Sequence, residues 1–240
     1  MDTVAGEWIM KGCRRNDPFC LHSPEDLLEL IRQIGFLPLF SNEVPGFSVE
    51  ERTVADHWWT DDPLDPWAWR QTLAPHGDVA YGKFFDKKAG FVSREWFPVF
   101  ANFRRDGYDW EGMYQDGKMT ARCKRILDVL ELNEDAEGLR LLSCDVRRRA
   151  ALEKGFEGAV TELQMKSFLI VSGFRRKTNK HGEPYGWHVS ELATPETKWG
   201  YDDVNSCGEK PEASRQRIRE QIRKHFPDAK DAAVRKAAGV

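Results

Sequence analysis

The sequence predicts an α+β fold with a winged-helix module, a helix-turn-helix followed by a β-hairpin, in its second half. Three observations carry this. Hydrophobic residues make up 40% of 240, with nine tryptophans, enough for a core that needs no disulfides. Runs of helical period alternate with short strand-like runs bounded by turn residues. Between residues 120 and 190 the order is helix, short helix, turn, helix, hairpin.

The elements follow in order. Residues 1–23 lack periodicity and carry the turn-formers Asn16-Asp17-Pro18, which suggests a loosely attached arm. Ser23-Pro24-Glu25-Asp26 starts a helix whose apolar face is Leu27, Leu28, Ile31 and Ile34, with Gly35 as its stop. Phe36 to Phe40, broken by Pro38, is extended and buried. Asp65-Pro66 starts a second helix within the Trp-rich 57–70 segment, which should be mostly core. Residues 79–85 and 88–92 are two strands around Asp86-Lys87, and Ser93 caps a helix carrying Trp96, Phe97, Phe100 and Phe103.

Residues 108–117 form an acidic, Gly-containing connection. The division is therefore an arm (1–23), an N-terminal α+β domain (24–112), a winged-helix domain (113–200) and a basic helical tail (201–240). In the third of these, Thr120 caps a helix with Ile126, Leu127 and Leu130 inward. Ser143 and Asp145 open a short helix ending in Arg147-Arg148-Arg149, and Phe156, Val160 and Leu163 mark a third. Residues 168–174 and 185–190 flank the turn-rich Asn179 to Pro184 as a hairpin.

Five cysteines without a CxxC pair make neither a disulfide framework nor a zinc site. Cys13, Cys20 and His22 form a loose cluster better read as free thiols of a cytoplasmic protein. No apolar run approaches the roughly 18 residues of a membrane span, the charged first 30 residues lack the apolar stretch expected of a secretory signal, and no nucleotide-binding loop or metal motif is visible. The net charge of −3 argues against a basic nucleic-acid binder until it is divided. Residues 1–118 carry −7, whereas 147–180 hold nine basic and three acidic groups and 215–240 carry +5.

This clustering points to phosphate contacts. Arg147, Arg148, Arg149 and Lys154 can reach the backbone. Thr161, Gln164 and Lys166 lie on or after the third helix, where Gln can pair with an adenine edge. Arg175, Arg176, Lys177 and Lys180 line the wing, with Asn179 at its tip. The plainer alternative is a solvated helix end favoured by the dipole and lysines that blunt a sheet edge.

Gly35 to Ser41, Lys88 to Arg104 and the 113–200 segment resemble the AlkZ/YcaQ type of DNA glycosylase. The match is nearest to the AlkZ-related group, through Gly46-Phe-Ser-Val-Glu-Glu51, Asp65-Pro-Trp67 and Gly182-Glu-Pro-Tyr-Gly-Trp187. The resemblance implies tandem winged-helix modules around a DNA channel, with the first half a degenerate copy. It also implies a Gln-x-Gln or Gln-x-Asp motif that positions water; here the matching residues are Pro38-Leu39-Phe40, which cannot. Asp61, Asp62 and Asp65 could supply another base, although loop acids beside proline usually serve turns, and His57 is better read as a core histidine.

The leading reading is a non-catalytic winged-helix protein that binds double-stranded DNA, with no metal or cofactor. A glycosylase with a rearranged catalytic group is the second reading, and a protein-interaction adaptor the third. Whether residues 36–40 and 57–70 face a positively rimmed cleft beside 147–180, or a filled core, discriminates among them.

Overall fold

A computed structural model describes residues 2–4, 7–132 and 141–240. A short hairpin, β1 (Asp2–Val4) and β2 (Glu7–Ile9), precedes the body; residues 1, 5 and 6 of the expected arm lie outside the described residues. From Met10 onward the arm is fastened down. Cys13 N–H donates to Thr53 O at 2.8 Å and Leu21 N–H to Arg52 O at 2.7 Å, and Met10 and Cys20 are buried.

Helix α1 (Pro24–Ile34) begins and ends where the sequence places it. Ser23 Oγ accepts from Asp26 N–H, and Gly35 stops the helix at φ 93°. Strand β3 (Phe36–Pro38) follows, with Pro38 tolerated because β3 is an edge strand. Two short 3-10 turns, Glu50–Arg52 and Ala55–His57, lead to α2 (Pro66–Leu73). Strands β4 (Val79–Phe85) and β5 (Lys88–Ser93) pair across Asp86 and Lys87, both at positive φ, as a tight hairpin turn requires.

Two local expectations need correction. Ser93 ends β5 rather than capping a helix; its Oγ accepts from Trp96 N–H, and α3 (Phe97–Arg105) starts one turn later. The 108–117 connection contains a helix, α4 (Trp110–Gln115), because Asp109 caps it at Gly112 N–H. Beyond it come α5 (Ala121–Glu131), capped by Thr120, then β6 (Leu141–Leu142), α6 (Ser143–Arg149) and α7 (Phe156–Met165). The long hairpin β7 (Ile170–Thr178) and β8 (Pro184–Ala193) follows.

After β8 comes the short α8 (Pro195–Trp199), and the expected helical tail, 201–240, holds three helices: α9 (Tyr201–Val204), α10 (Pro211–His225) and α11 (Asp231–Ala238). It folds back onto the body. Asn102 Nδ2 donates to Ser214 Oγ at 2.8 Å, Gln221 Nε2 donates to Ile34 O at 2.8 Å, and Val240 is buried.

All neighbours in the six-stranded sheet are antiparallel, in the order β3-β5-β4-β7-β8-β6. That order is a palindrome. Each half gives a short strand, then the second and first strands of a hairpin, and the halves meet through β4 and β7. A helix precedes each short strand (α1, α5) and another precedes each hairpin (α2, α7). Where the second half has α6, the first has only its two 3-10 turns. One hydrophobic core runs through both halves, so sheet and core cross the division at 112/113.

Gly35 tests the packing of the first half. A Cβ there would lie 2.4 Å from the Trp96 ring, on a backbone that L-residues avoid. Gly35→Ala should destabilise the protein by about 2–4 kcal/mol, read from its urea midpoint.

Candidate functional site

Strands β4 and β7 share a single ladder pair, Tyr81 with Val171, and then diverge. Gln164 of α7 takes over beyond it: its Oε1 accepts from Lys83 N–H at 2.8 Å, and Lys83 Nζ donates to Thr161 Oγ1 at 3.2 Å. The divergence opens a cleft of about 550 Å³. It is lined by Phe40, Trp67, Arg70, Phe156, Val160, Val171 and Phe174, together with Lys83, Lys87 and Lys88. Residues 36–40 and 57–70 therefore divide. Phe36, Leu37, Leu39, Trp58 and Trp69 are core, whereas Phe40, Trp67 and Arg70 face the cleft.

Arg70 lies between two rings, its guanidinium 3.6 Å from the Trp67 centroid and 4.4 Å from that of Phe174. Its Nε is buried without a hydrogen-bond partner. Burial pushes the Arg70 pKa down, opposed by Tyr81 and Asp65; burial likewise pushes the neighbouring Tyr81 hydroxyl up. The cleft is thus aromatic and cationic, suited to a flat π-system with negative charge nearby.

The predicted contact residues are not gathered in one place. Gln164, expected at a base edge, is buried and holds the β4–α7 junction, and Thr161 serves the same junction and also bonds Glu157 O. Lys166 is half-buried just past the end of α7. Helix α7 itself carries no Lys or Arg. Arg147 pairs with Glu157 at 2.5 Å and Arg148 with Asp145 at 3.1 Å, while Arg149 and Lys154 are exposed.

On the hairpin, Arg175 pairs with Glu191 at 2.9 Å and Arg176 Nε donates to Gly186 O at 2.8 Å. Lys177 sits opposite Tyr185, and Lys180 is exposed at the tip. Asn179 shapes that tip, its Oδ1 accepting from His181 and Glu183 N–H. Sequence reasoning missed the most exposed feature. Between the pairs Arg176–His188 and Lys177–Tyr185 the register shifts by two residues. Gly186 (φ 71°) and Trp187 form the bulge, which leaves Trp187 87% and Tyr185 51% exposed. The Gly-Trp pair inside a strand was the available signal.

The alternative catalytic candidates have other duties. Asp65 is buried and accepts from the N–H of Trp59 (3.1 Å), Asp61 (3.1 Å) and Trp67 (2.8 Å). Both its oxygens are committed to backbone, so it is a cap and not a base. Asp62 accepts from Leu64 N–H in an exposed turn, and Asp61 is exposed. His57 is half-buried in a 3-10 turn away from the cleft lining, not a core histidine. Cys13 and Cys20 adjoin; burial first, then Cys20, pushes the Cys13 thiol up to about 12. Among the described residues no three His, Cys, Asp or Glu side chains gather in a way that could hold a metal, and no helix is long and apolar enough to cross a membrane.

A family model described as AlkZ related matches residues 21–239. Among solved structures, the DNA glycosylase AlkZ of Streptomyces sahachiroi is similar at 10% identity with a TM-score of 0.43, over 92% of this chain and 60% of that one. The chain thus spans about 60% of the length of that glycosylase. No curated protein matches the chain.

Asp65→Ala strands three N–H donors beside the cleft. It should cost about 2–4 kcal/mol in the urea midpoint, well above the effect of an ordinary surface acid.

Proposed function

Because the chain belongs to the AlkZ-related family, we propose that it is a non-catalytic protein that binds duplex DNA through paired winged-helix modules. It favours distorted or modified duplex. Each half supplies the module order of helix, short strand, helix and hairpin. β3 pairs with β5 in the first half as β6 pairs with β8 in the second. The first module is the degenerate one, its middle helix reduced to 3-10 turns.

The observation that carries the reading is the projecting hairpin. It combines Arg175, Arg176, Lys177 and Lys180 with an outward tryptophan, and it descends to the rim of an aromatic, cationic cleft through Phe174 and Ser190. Basic groups neutralise phosphates, an exposed ring at a bulge can wedge or stack between bases, and the cleft offers a place for an unstacked base. Helix α7 does not read the major groove, because its Gln164 edge is used inside the protein. Recognition by shape and deformability, with positioning from Arg147, Arg148, Arg149 and Lys154, follows from that.

The lining of the cleft supports the non-catalytic part. Where the glycosylase motif would place an amide or carboxylate side chain, Phe40 contributes a ring. The carboxylate of the described lining, Glu157, is paired with Arg147.

Binding of a fluorescent duplex across a salt series tests the proposal. At about 50 mM salt the duplex should bind, and tighter when it contains a mismatch. Absence of binding there contradicts the reading. Trp187→Ala should weaken binding by roughly 1–3 kcal/mol, about 5- to 150-fold. Arg175→Ala with Arg176→Ala should make the salt slope shallower by about 2. Abasic product from alkylated or cross-linked duplex would establish the glycosylase reading instead.

A further inference from the structure

The C-terminal helices carry a second concentration of positive charge that lines no part of the cleft. On α10, Arg215, Arg219 and Arg223 stand at successive fourth positions and so share one helix face, and α11 brings Arg235 to Arg219. Like charges so arranged repel one another. Their acidic partners are few: Glu212 approaches Arg215 at 3.4 Å, and Asp231 pairs with Arg223. Among the described residues the side chains of Arg219 and Arg235 make no hydrogen bond or ion pair, and the Arg219 Nε is buried. Nearby acids are taken elsewhere, Glu209 by Arg217 and Glu43 by Lys236, while Glu220 accepts from Gln216.

A solvated basic face would keep every guanidinium in water. Here the Nε atoms of Arg215 and Arg219 are buried without a partner. The Arg215 guanidinium rests over Phe103 at 5.9 Å, which commits its stem to α3, while its Nη1 is held by Glu212 at 3.4 Å. Burial, then the charges of Arg215, Arg235 and Arg223, push the Arg219 pKa down, with Glu212 opposing; the group stays charged at neutral pH.

We propose that Arg215, Arg219, Arg223 and Arg235 form a second phosphate-binding track that takes the phosphodiester backbone of DNA. The identity of the ligand rests on the DNA-binding reading above. The shape supports a strand over a lone anion: the three α10 arginines extend ~12 Å along the helix, about the rise of three to four phosphates on one strand. Planar guanidinium groups suit bidentate phosphate contacts.

The test uses the full chain and a duplex of about 20 base pairs, followed by fluorescence anisotropy at several salt concentrations. R219Q/R235Q should weaken binding about tenfold near 50 mM salt and make the salt slope shallower by about 2, whereas R219K/R235K should restore most of both. Thermal unfolding of the variants confirms that they remain folded. If the hairpin variant R175A/R176A weakens binding but R219Q/R235Q changes neither affinity nor slope, the track is overturned and the DNA-binding reading stands. If the wild-type chain binds no duplex, both fall. A second readout follows the Nε–H resonances of Arg215 and Arg219. Shifts with micromolar duplex but only slight ones with millimolar inorganic pyrophosphate support the strand assignment. Equal response to pyrophosphate overturns it in favour of an isolated anion site.

Discussion

The two halves of this protein are joined at one ladder pair, Tyr81 with Val171, and the rest of the structure depends on how weak that seam is in backbone terms. A full β4–β7 ladder would close the sheet. Instead β4 leaves β7 after a single pair, and its next N–H donor, at Lys83, would be orphaned without the Gln164 side chain. That substitution of a side chain for a strand lets α7 lean over β4 and opens the cleft between the last helices of the two halves. It also removes Gln164 from any role outside the protein.

The same logic governs the buried acids. Glu50 accepts from Lys11 N–H and Ser41 N–H, tying the N-terminal segment to the end of β3. Asp65 does the equivalent for the turn before α2. Carboxylates without water are stable only when charged donors or several N–H groups meet them, and here backbone supplies those groups. The acids with chemical promise are therefore structural, and the cleft is left to aromatic rings and cations. Arg70, held between Trp67 and Phe174, is the clearest case of a charge kept in that cleft by π-faces.

Much of the fold was legible. Ser23, Gly35, Thr120 and the Asp86-Lys87 turn do locally what their chemistry predicts, because caps and tight turns depend on near neighbours. The seam was not, since a single pair and a side-chain bridge between residues 83 and 164 leave no periodic trace. The Asp65-Pro-Trp67 run was visible, but periodicity could not say that Trp67 turns to the cleft while Trp69 goes to the core. For the site, charge arithmetic found the basic hairpin but missed Trp187, whose exposure comes from a two-residue register shift. It also weighted α7 too heavily, because the positive charge flanks that helix and none of it lies on it.

Hydrogen exchange on the full chain, with and without a saturating duplex carrying one unpaired base, tests the central claim most directly. Exchange should slow in the hairpin at residues 174–190 and in the cleft segments 67–70 and 83–89, while the α1–β3 region stays unchanged. Saturation without slowing in either place would contradict the account, as would protection confined to surfaces remote from both.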